Sequence, residues 1–179
     1  LQTSSLIAKL PDLFGYFVPS TYSYFLNRVA DFIGSRFHFA SNIFENFTYP
    51  GLIIIFSFIT LCILKLKNKL PYKLYLSIKQ YLFVSGVFWV LTLGPFLHIL
   101  GKWGITVDDG IRIVIPLPFS IFHYLPFMAN IRIPGRLIVA FIFFSYIICA
   151  YVFDYFLQTK TKKIKTIFFI LFFLVFFID

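Results

Sequence analysis

The sequence predicts an all-α membrane protein, a polytopic bundle of about four transmembrane helices with structured loops. Three observations indicate this fold class: 60% of the 179 residues are hydrophobic, only 13% are charged, and the mean hydropathy is +0.89. An ordinary soluble domain has about 25% charged residues. A chain with so few charges has more apolar surface than water accommodates, and we therefore expect lipid to be its solvent.

Four apolar stretches with few or no charges have the composition of membrane spans, each of which needs about 20 apolar residues to cross the hydrocarbon core. We predict spans at 47–64, 80–101 and 136–157, and a partial span at 166–179. The last stretch is too short to cross, and we expect it to be a truncated helix. The whole chain is then expected to be one membrane domain and a fragment of a longer protein.

A fifth uncharged stretch, 113–131, is a weaker candidate for a span because it contains Pro116, Pro118 and Pro126. Proline removes a backbone donor and breaks a helix. We therefore predict that this stretch does not cross the membrane, and that it lies at the interface or re-enters while buried in protein.

The positions of the charges predict the orientation of the spans. The loops 65–79 and 158–165 carry five and four lysines, respectively, and neither contains an acid. Both loops lie on one side if 113–131 does not cross, and the positive-inside rule makes that side the cytoplasm. The segments 1–46 and 102–135 are then extracytoplasmic. We predict a multi-pass protein of the cell inner or plasma membrane.

Both outer segments contain predicted secondary structure. Apolar side chains recur at helical spacing over 22–37, which is typical of an amphipathic helix on the membrane or on neighbouring spans. In the second segment, short β-type runs at 105–107 and 111–115 flank Asp108, Asp109 and Gly110. This pattern predicts a short β-hairpin.

Three carboxylates of the outer segments are candidate site residues. Asp108 and Asp109 are adjacent and could bind a divalent cation or act as a general base, or they could simply favour the turn. Asp12 lies in an apolar stretch, where a carboxylate is costly unless it is paired. For Asp12, an ion pair with Lys9 or an arginine is the alternative to a catalytic role.

The strongest candidates for ligand binding are the arginines of the second outer segment. Arg132 and Arg136 flank a rigid Ile-Pro-Gly turn at the mouth of the third span. A guanidinium binds phosphate through a two-pronged fork, so these residues, together with Arg112, suit a lipid phosphate. The alternative is that they are interfacial anchors that meet ordinary phospholipid phosphates.

The remaining polar residues predict no metal or nucleic-acid site. Cys62 and Cys149 lie in apolar stretches, and His38, His98 and His123 lack local zinc-binding spacing. We interpret all five as packing residues. The net charge of +9 is concentrated in clusters beside apolar runs, which favours the lipid bilayer as partner over nucleic acid.

Several short motifs resemble, in their order and spacing, a known group of membrane proteins. They lie at 11–20, 49–52, 93–98, 115–119, 126–127 and 132–136. Together they resemble large bacterial and archaeal membrane proteins usually placed with the polyprenol-phosphate-dependent glycosyltransferases of the GT-C type. The likeness covers about residues 5–155.

The resemblance implies an enzyme that transfers a sugar from a polyprenyl-phosphate-linked donor on the extracytoplasmic face. In such enzymes an acidic residue of the first outer loop acts as base, and we expect that loop to precede Leu1. Arg132 and Arg136 would then lie near the lipid phosphate, and a divalent cation is compatible with the family. The alternatives are a transporter or flippase of lipid-linked or anionic substrates, and a non-catalytic assembly subunit.

Overall fold

The computed structural model describes residues 12–19, 25–37, 48–99, 102, 104–106, 112–122, 134–159 and 162–178. These residues are mostly helical, as the sequence predicts. The helices are α1 (Asn27–Phe37), α2 (Leu52–Leu66), α3 (Tyr72–Thr92), α4 (Phe119–Phe122), α5 (Ile138–Thr159) and α6 (Lys162–Ile178). Two 3-10 turns are also present, Leu13–Phe17, here called the N-terminal turn, and Pro134–Leu137.

Two helical stretches among the described residues, Tyr72–Thr92 and Gly135–Gln158, are long and apolar enough to cross a membrane. Only 17% and 33%, respectively, of their most apolar windows is buried inside the chain. The core helix of a soluble protein buries most of its apolar residues, whereas most residues of these two windows are not buried inside the chain. The helices α2 and α6 overlap the first and last predicted spans, and they have 15 and 17 residues.

The bounds of α3 differ at both ends from those of the predicted span 80–101. The helix begins at Tyr72, directly after the extended Pro71, so Lys73 and Lys79 belong to the helix rather than to a loop. It ends at Thr92, because Gly94 has a positive φ of 85° and a proline follows it. The predicted loop 158–165 is also mostly helical, since α5 continues to Thr159 and α6 begins at Lys162.

The helices α3 and α5 form the centre of the bundle, and α2 and α6 pack beside them. A buried cluster joins the last turns of α2, the first turns of α3 and the last turns of α5; it consists of Leu61, Leu74, Ile78, Ile148 and Val152. We call this the lysine end, because both lysine-rich connections lie there. A second cluster at the opposite end consists of Tyr16, Leu93, Ile138 and Phe141, and we call this the tyrosine end.

A buried hydrogen bond links the two central helices between these clusters. The hydroxyl oxygens of Ser85 in α3 and Ser145 in α5 are 2.9 Å apart. Both side chains are buried. Small residues let two helices approach closely, and an interhelical hydroxyl bond then fixes their register.

The loop after α3 folds back over the tyrosine end. The amide of Leu97 donates to the Ile115 carbonyl at 3.1 Å, and the amide of Leu117 donates to the Pro95 carbonyl at 2.8 Å. The described part of the proline-rich stretch, 113–122, therefore lies along the end of α3 and forms no helix of membrane length.

Two-residue strands precede this part of the loop. In β1 (Ile105–Thr106) and β2 (Arg112–Ile113), Thr106 pairs with Arg112 in an antiparallel register. The residues between them, 107–111, lie outside the described residues, so the tight turn of the expected hairpin stays a prediction.

The amphipathic stretch 22–37 contains α1, which begins at Asn27. Ala30 is buried, whereas Phe25, Val29 and Phe32 are exposed on one face. The stretch therefore combines a buried small residue with exposed large apolar side chains.

We predict that Ser85→Ala and Ser145→Ala each lower the free energy of unfolding by about 0.6 kcal/mol, the average for interhelical hydrogen bonds in a membrane protein. The double variant should lose no more than either single variant, because the two hydroxyls share one bond. Unfolding in lipid bicelles measures this. Ser77→Ala is the matched control, since Ser77 is exposed and its hydroxyl donates to the Lys73 carbonyl of its own helix. A double variant whose loss of stability equals the sum of the two single losses would contradict the prediction.

Candidate functional site

The N-terminal turn is fastened to the tyrosine end by its first residues. The Oδ1 atom of Asp12 accepts a hydrogen bond from the Phe14 amide at 2.9 Å, so Asp12 caps the turn. The amide of Leu13 donates to the His98 carbonyl at 2.9 Å. Sequence reasoning considered an ion pair or a catalytic role for Asp12, which is 4% exposed, and missed this cap. An aspartate directly before a helical turn was the available signal.

The side chain of Tyr16, from the same turn, inserts between α3 and α5. Its ring lies edge-on to Trp89 and to Phe141, with centroid distances of 6.1 and 6.3 Å. The Thr92 hydroxyl donates to the Trp89 carbonyl at 2.6 Å, so it accepts from the Tyr16 hydroxyl, to which it is also bonded. Burial raises the pKa of Tyr16 well above its ordinary value, against a smaller opposing effect of the bond to Thr92, and the phenol stays neutral.

Two further buried polar groups surround the turn. A Cβ atom at Gly15 would lie 3.2 Å from the Thr48 hydroxyl oxygen, so a larger residue would require Thr48 to shift by a few tenths of an ångström. The Nδ1 atom of His98 lies 3.0 Å from the Phe96 carbonyl oxygen and must donate to it, because a carbonyl can only accept. Among the described residues, His98 Nε2 and Thr48 Oγ1 have no hydrogen-bond partner. The tyrosine end is therefore a polar cap on an apolar bundle.

An apolar groove of about 470 Å³ runs between α2 and α3 and ends at this cap. Its walls are Ile54, Ile55, Phe58, Ile59, Cys62 and Ile63 of α2 and Leu82, Ser85, Gly86 and Trp89 of α3. Tyr16, Phe17, Pro50 and Phe141 line its closed end. The α2 wall spans nine helical steps, or about 13.5 Å at 1.5 Å per residue.

The groove exists because α2 and α3 both pack on α5 and make few contacts with each other. Phe58 of α2 stacks on Phe141 of α5 with a centroid distance of 6.4 Å. At Gly86, a Cβ atom would meet no heavy atom within 4 Å. Because Ile59 and Cys62 are exposed, the groove is open to its surroundings along the α2 edge. Its size and apolar lining suit a hydrocarbon chain.

The predicted site residues are only partly placed by the structure. Arg136 is exposed in the 3-10 turn before α5, at the tyrosine end. Arg112 belongs to β2, where the structure describes its backbone. Arg132, Asp108 and Asp109 lie outside the described residues. Their proposed roles in binding phosphate or a cation stay predictions.

Within the described ranges, no group of three or more histidine, cysteine, aspartate or glutamate side chains could hold a metal ion. The groove, Tyr16 and the Thr92 bond were not predicted from the sequence. Gly15 and Gly86 were the local signals, but their meaning depends on which helices they face.

Comparison of the chain with protein-family models, curated proteins and solved structures found no match.

We predict that Tyr16→Phe lowers the free energy of unfolding by about 1 kcal/mol, the usual net contribution of one hydrogen bond. Tyr72→Phe removes the same hydroxyl from a 76% exposed side chain and should change stability by much less. Chemical unfolding followed by tryptophan fluorescence reports the difference, and equal losses in both variants would contradict the role of the Thr92 bond.

The raised pKa of Tyr16 predicts a loss of stability at high pH. The unfolded phenol ionises near pH 10, whereas the folded phenol holds its proton to higher pH. The associated stability is fully present below pH 10 and falls above it, by up to about 1.4 kcal/mol per pH unit. The free energy of unfolding, measured between pH 9 and 11, should therefore fall less steeply in Tyr16→Phe than in the wild type. The two slopes should differ by up to about 1.4 kcal/mol per pH unit. Parallel profiles would show that Tyr16 is not buried as a neutral phenol.

Proposed function

We propose that this chain is part of a multi-pass membrane glycosyltransferase that takes a sugar from a polyprenyl-phosphate-linked donor on the extracytoplasmic face. The observation that carries the proposal is the open apolar groove that ends at a polar cap. A lipid-linked sugar has the same division, with a long apolar chain attached to a charged and hydroxylated head. The resemblance of the sequence motifs to the GT-C glycosyltransferases supports the same class.

The placement in a membrane is supported by the outward-facing apolar helices and by the charge distribution. Lys65, Lys67, Lys69 and Lys73 lie at the lysine end, and α6 begins there with further lysines. Under the positive-inside rule this end faces the cytoplasm. The tyrosine end then faces the outside, where family members carry out sugar transfer.

In the proposed complex, the first isoprene units of the donor occupy the groove from Ile63 towards Pro50. The chain would enter sideways from the bilayer past Ile59 and Cys62, since the groove is open there. This direction brings the phosphate to the tyrosine end, where Arg136 is exposed and can form a charge-assisted hydrogen bond. Arg132 and Arg112 are proposed to bind the same phosphate.

The reaction would break the bond between the sugar C1 atom and the phosphate oxygen and form a bond from C1 to an acceptor hydroxyl. Polyprenyl phosphate leaves with the bonding electron pair, and the acceptor proton passes to a general base. We assign that base to none of the described residues. The proposed contribution of this chain is to orient the donor and to stabilise the charge on the leaving phosphate.

A flippase of lipid-linked substrates is the second candidate, because it would also need a groove that opens towards the bilayer. Flipping requires the head group to pass between the ends of the bundle. The buried polar groups described between the two ends are the Ser85 and Ser145 hydroxyls, which bond each other. The polar groups concentrate instead at one end, which favours transfer at a membrane face over passage.

We predict that Gly86→Leu in the full-length protein lowers kcat/KM for a polyprenyl-phosphate sugar donor by at least about tenfold, the cost of losing the burial of two CH₂ groups. A Cβ atom at this position meets no heavy atom within 4 Å, so the leucine side chain can extend into the groove that Gly86 lines. Val87→Leu is the matched control, since Val87 is exposed and lies outside the groove. Transfer by Gly86→Leu at the wild-type rate would exclude the groove as donor site.

Arg136→Ala should lower kcat/KM by about 10- to 100-fold, the range for one hydrogen bond to a charged group, and Arg136→Lys should recover part of it. The assay is sugar transfer in proteoliposomes. If the wild type moves the donor across the bilayer without transferring sugar, the flippase is correct; if it does neither over a donor panel, the assembly subunit is correct.

A further inference from the structure

The connection between α2 and α3 is a fixed turn and not a loose loop. The Lys69 amide donates to the Leu64 carbonyl at 2.8 Å, and the Asn68 amide donates to the Lys65 carbonyl at 3.0 Å. Asn68 has a positive φ of 52°. These two bonds around a left-handed residue form a Schellman motif, which satisfies the last carbonyls of a helix. The backbone that carries the lysines is therefore held in one shape.

Positive charge accumulates on this turn without compensation from its own segment. The lysines are Lys65, Lys67, Lys69 and Lys73, and all four are exposed. The segment 65–79 contains no aspartate or glutamate. Like charges this close repel each other, so a site of this kind favours a partner that supplies negative charge.

Large apolar side chains are interleaved with the lysines. Leu66 is 82% exposed and Tyr72 is 76% exposed. Leu66 is the last residue of α2, and Tyr72 is the first residue of α3. Aliphatic and aromatic side chains beside cations are typical of the boundary between acyl chains and head groups in a bilayer.

We propose that this turn binds the head groups of anionic phospholipids, with the lysine ammonium groups on lipid phosphates and with Leu66 and Tyr72 in the adjoining acyl layer. An acidic peptide or a nucleic acid would satisfy the lysines but would leave both apolar side chains in water. An anionic lipid surface satisfies both. The inference requires that α2 and α3 lie in a bilayer, and it is independent of sugar transfer.

The test uses the full chain in nanodiscs of phosphatidylcholine that contain a trace of spin-labelled lipid. The relative association constant of labelled phosphatidylglycerol over labelled phosphatidylcholine is measured by electron paramagnetic resonance. A lysine close to an anionic surface contributes about a fivefold preference. The wild type should therefore prefer phosphatidylglycerol severalfold, and this preference should fall as salt concentration rises.

A combined variant with Lys67→Gln, Lys69→Gln and Lys73→Gln should lose most of this preference. Lys67→Arg, Lys69→Arg and Lys73→Arg combined should keep it, and circular dichroism verifies that each variant retains its helices. Lys102→Gln, which neutralises an exposed lysine at the tyrosine end, is the matched control. The proposal is overturned if the wild type shows no preference, or if Lys102→Gln loses as much as the triple glutamine variant.

Discussion

The packing of α3 against α5 is the interaction on which the rest of the structure depends. Along this interface the helices approach closely at Ser85 and Ser145, whose hydroxyls bond each other in a buried position. Ile78 and Ile148 are fully buried nearer the lysine end. Because hydroxyl pairs and small side chains contribute most where no water competes, this interface is suited to a lipid environment.

The groove and the lysine-bearing turn both follow from that interface. α2 also rests on α5, through Phe58 and Phe141, and so it stands apart from α3. The space between α2 and α3 is the groove, and Tyr16 closes it at one end by inserting between α3 and α5. At the other end the Schellman turn joins the same two helices and displays lysines. The packing of α2 and α3 on α5 therefore leaves an apolar groove, with the polar cap at the tyrosine end and the cationic turn at the lysine end.

The sequence predicted the helices better than their bounds or their arrangement. Apolar composition was sufficient to locate α2, α3, α5 and α6, because each of these helices overlaps a long apolar stretch. Charge was used to place the ends of the second predicted span, whereas the helix α3 includes Lys73 and Lys79. A lysine fits in an apolar helix because it can extend its ammonium group away from the helix. The adjacent Gly94 and Pro95 are a sequence signal for the end of this helix, and the predicted span did not use it.

The candidate site was largely beyond prediction from one sequence. The groove depends on which faces of α2 and α3 turn towards α5, and their apolar residues are distributed too evenly to define a face. Tyr16 and Thr92 are 76 positions apart in the chain, and nothing local to either indicates that they meet. The structure places Arg136 in an exposed turn at the tyrosine end, and its role in binding phosphate stays a prediction.

In the proposed function, the groove holds the hydrocarbon chain of a lipid-linked substrate. The most direct measurement is photo-crosslinking of the full-length protein with a polyprenyl phosphate that carries a diazirine in its first isoprene units, followed by mass spectrometric mapping. We expect adducts on groove residues such as Phe58 and Leu82, and we expect unlabelled polyprenyl phosphate to reduce their formation. Adducts spread equally over the outward-facing Phe56 and Phe83 would contradict it.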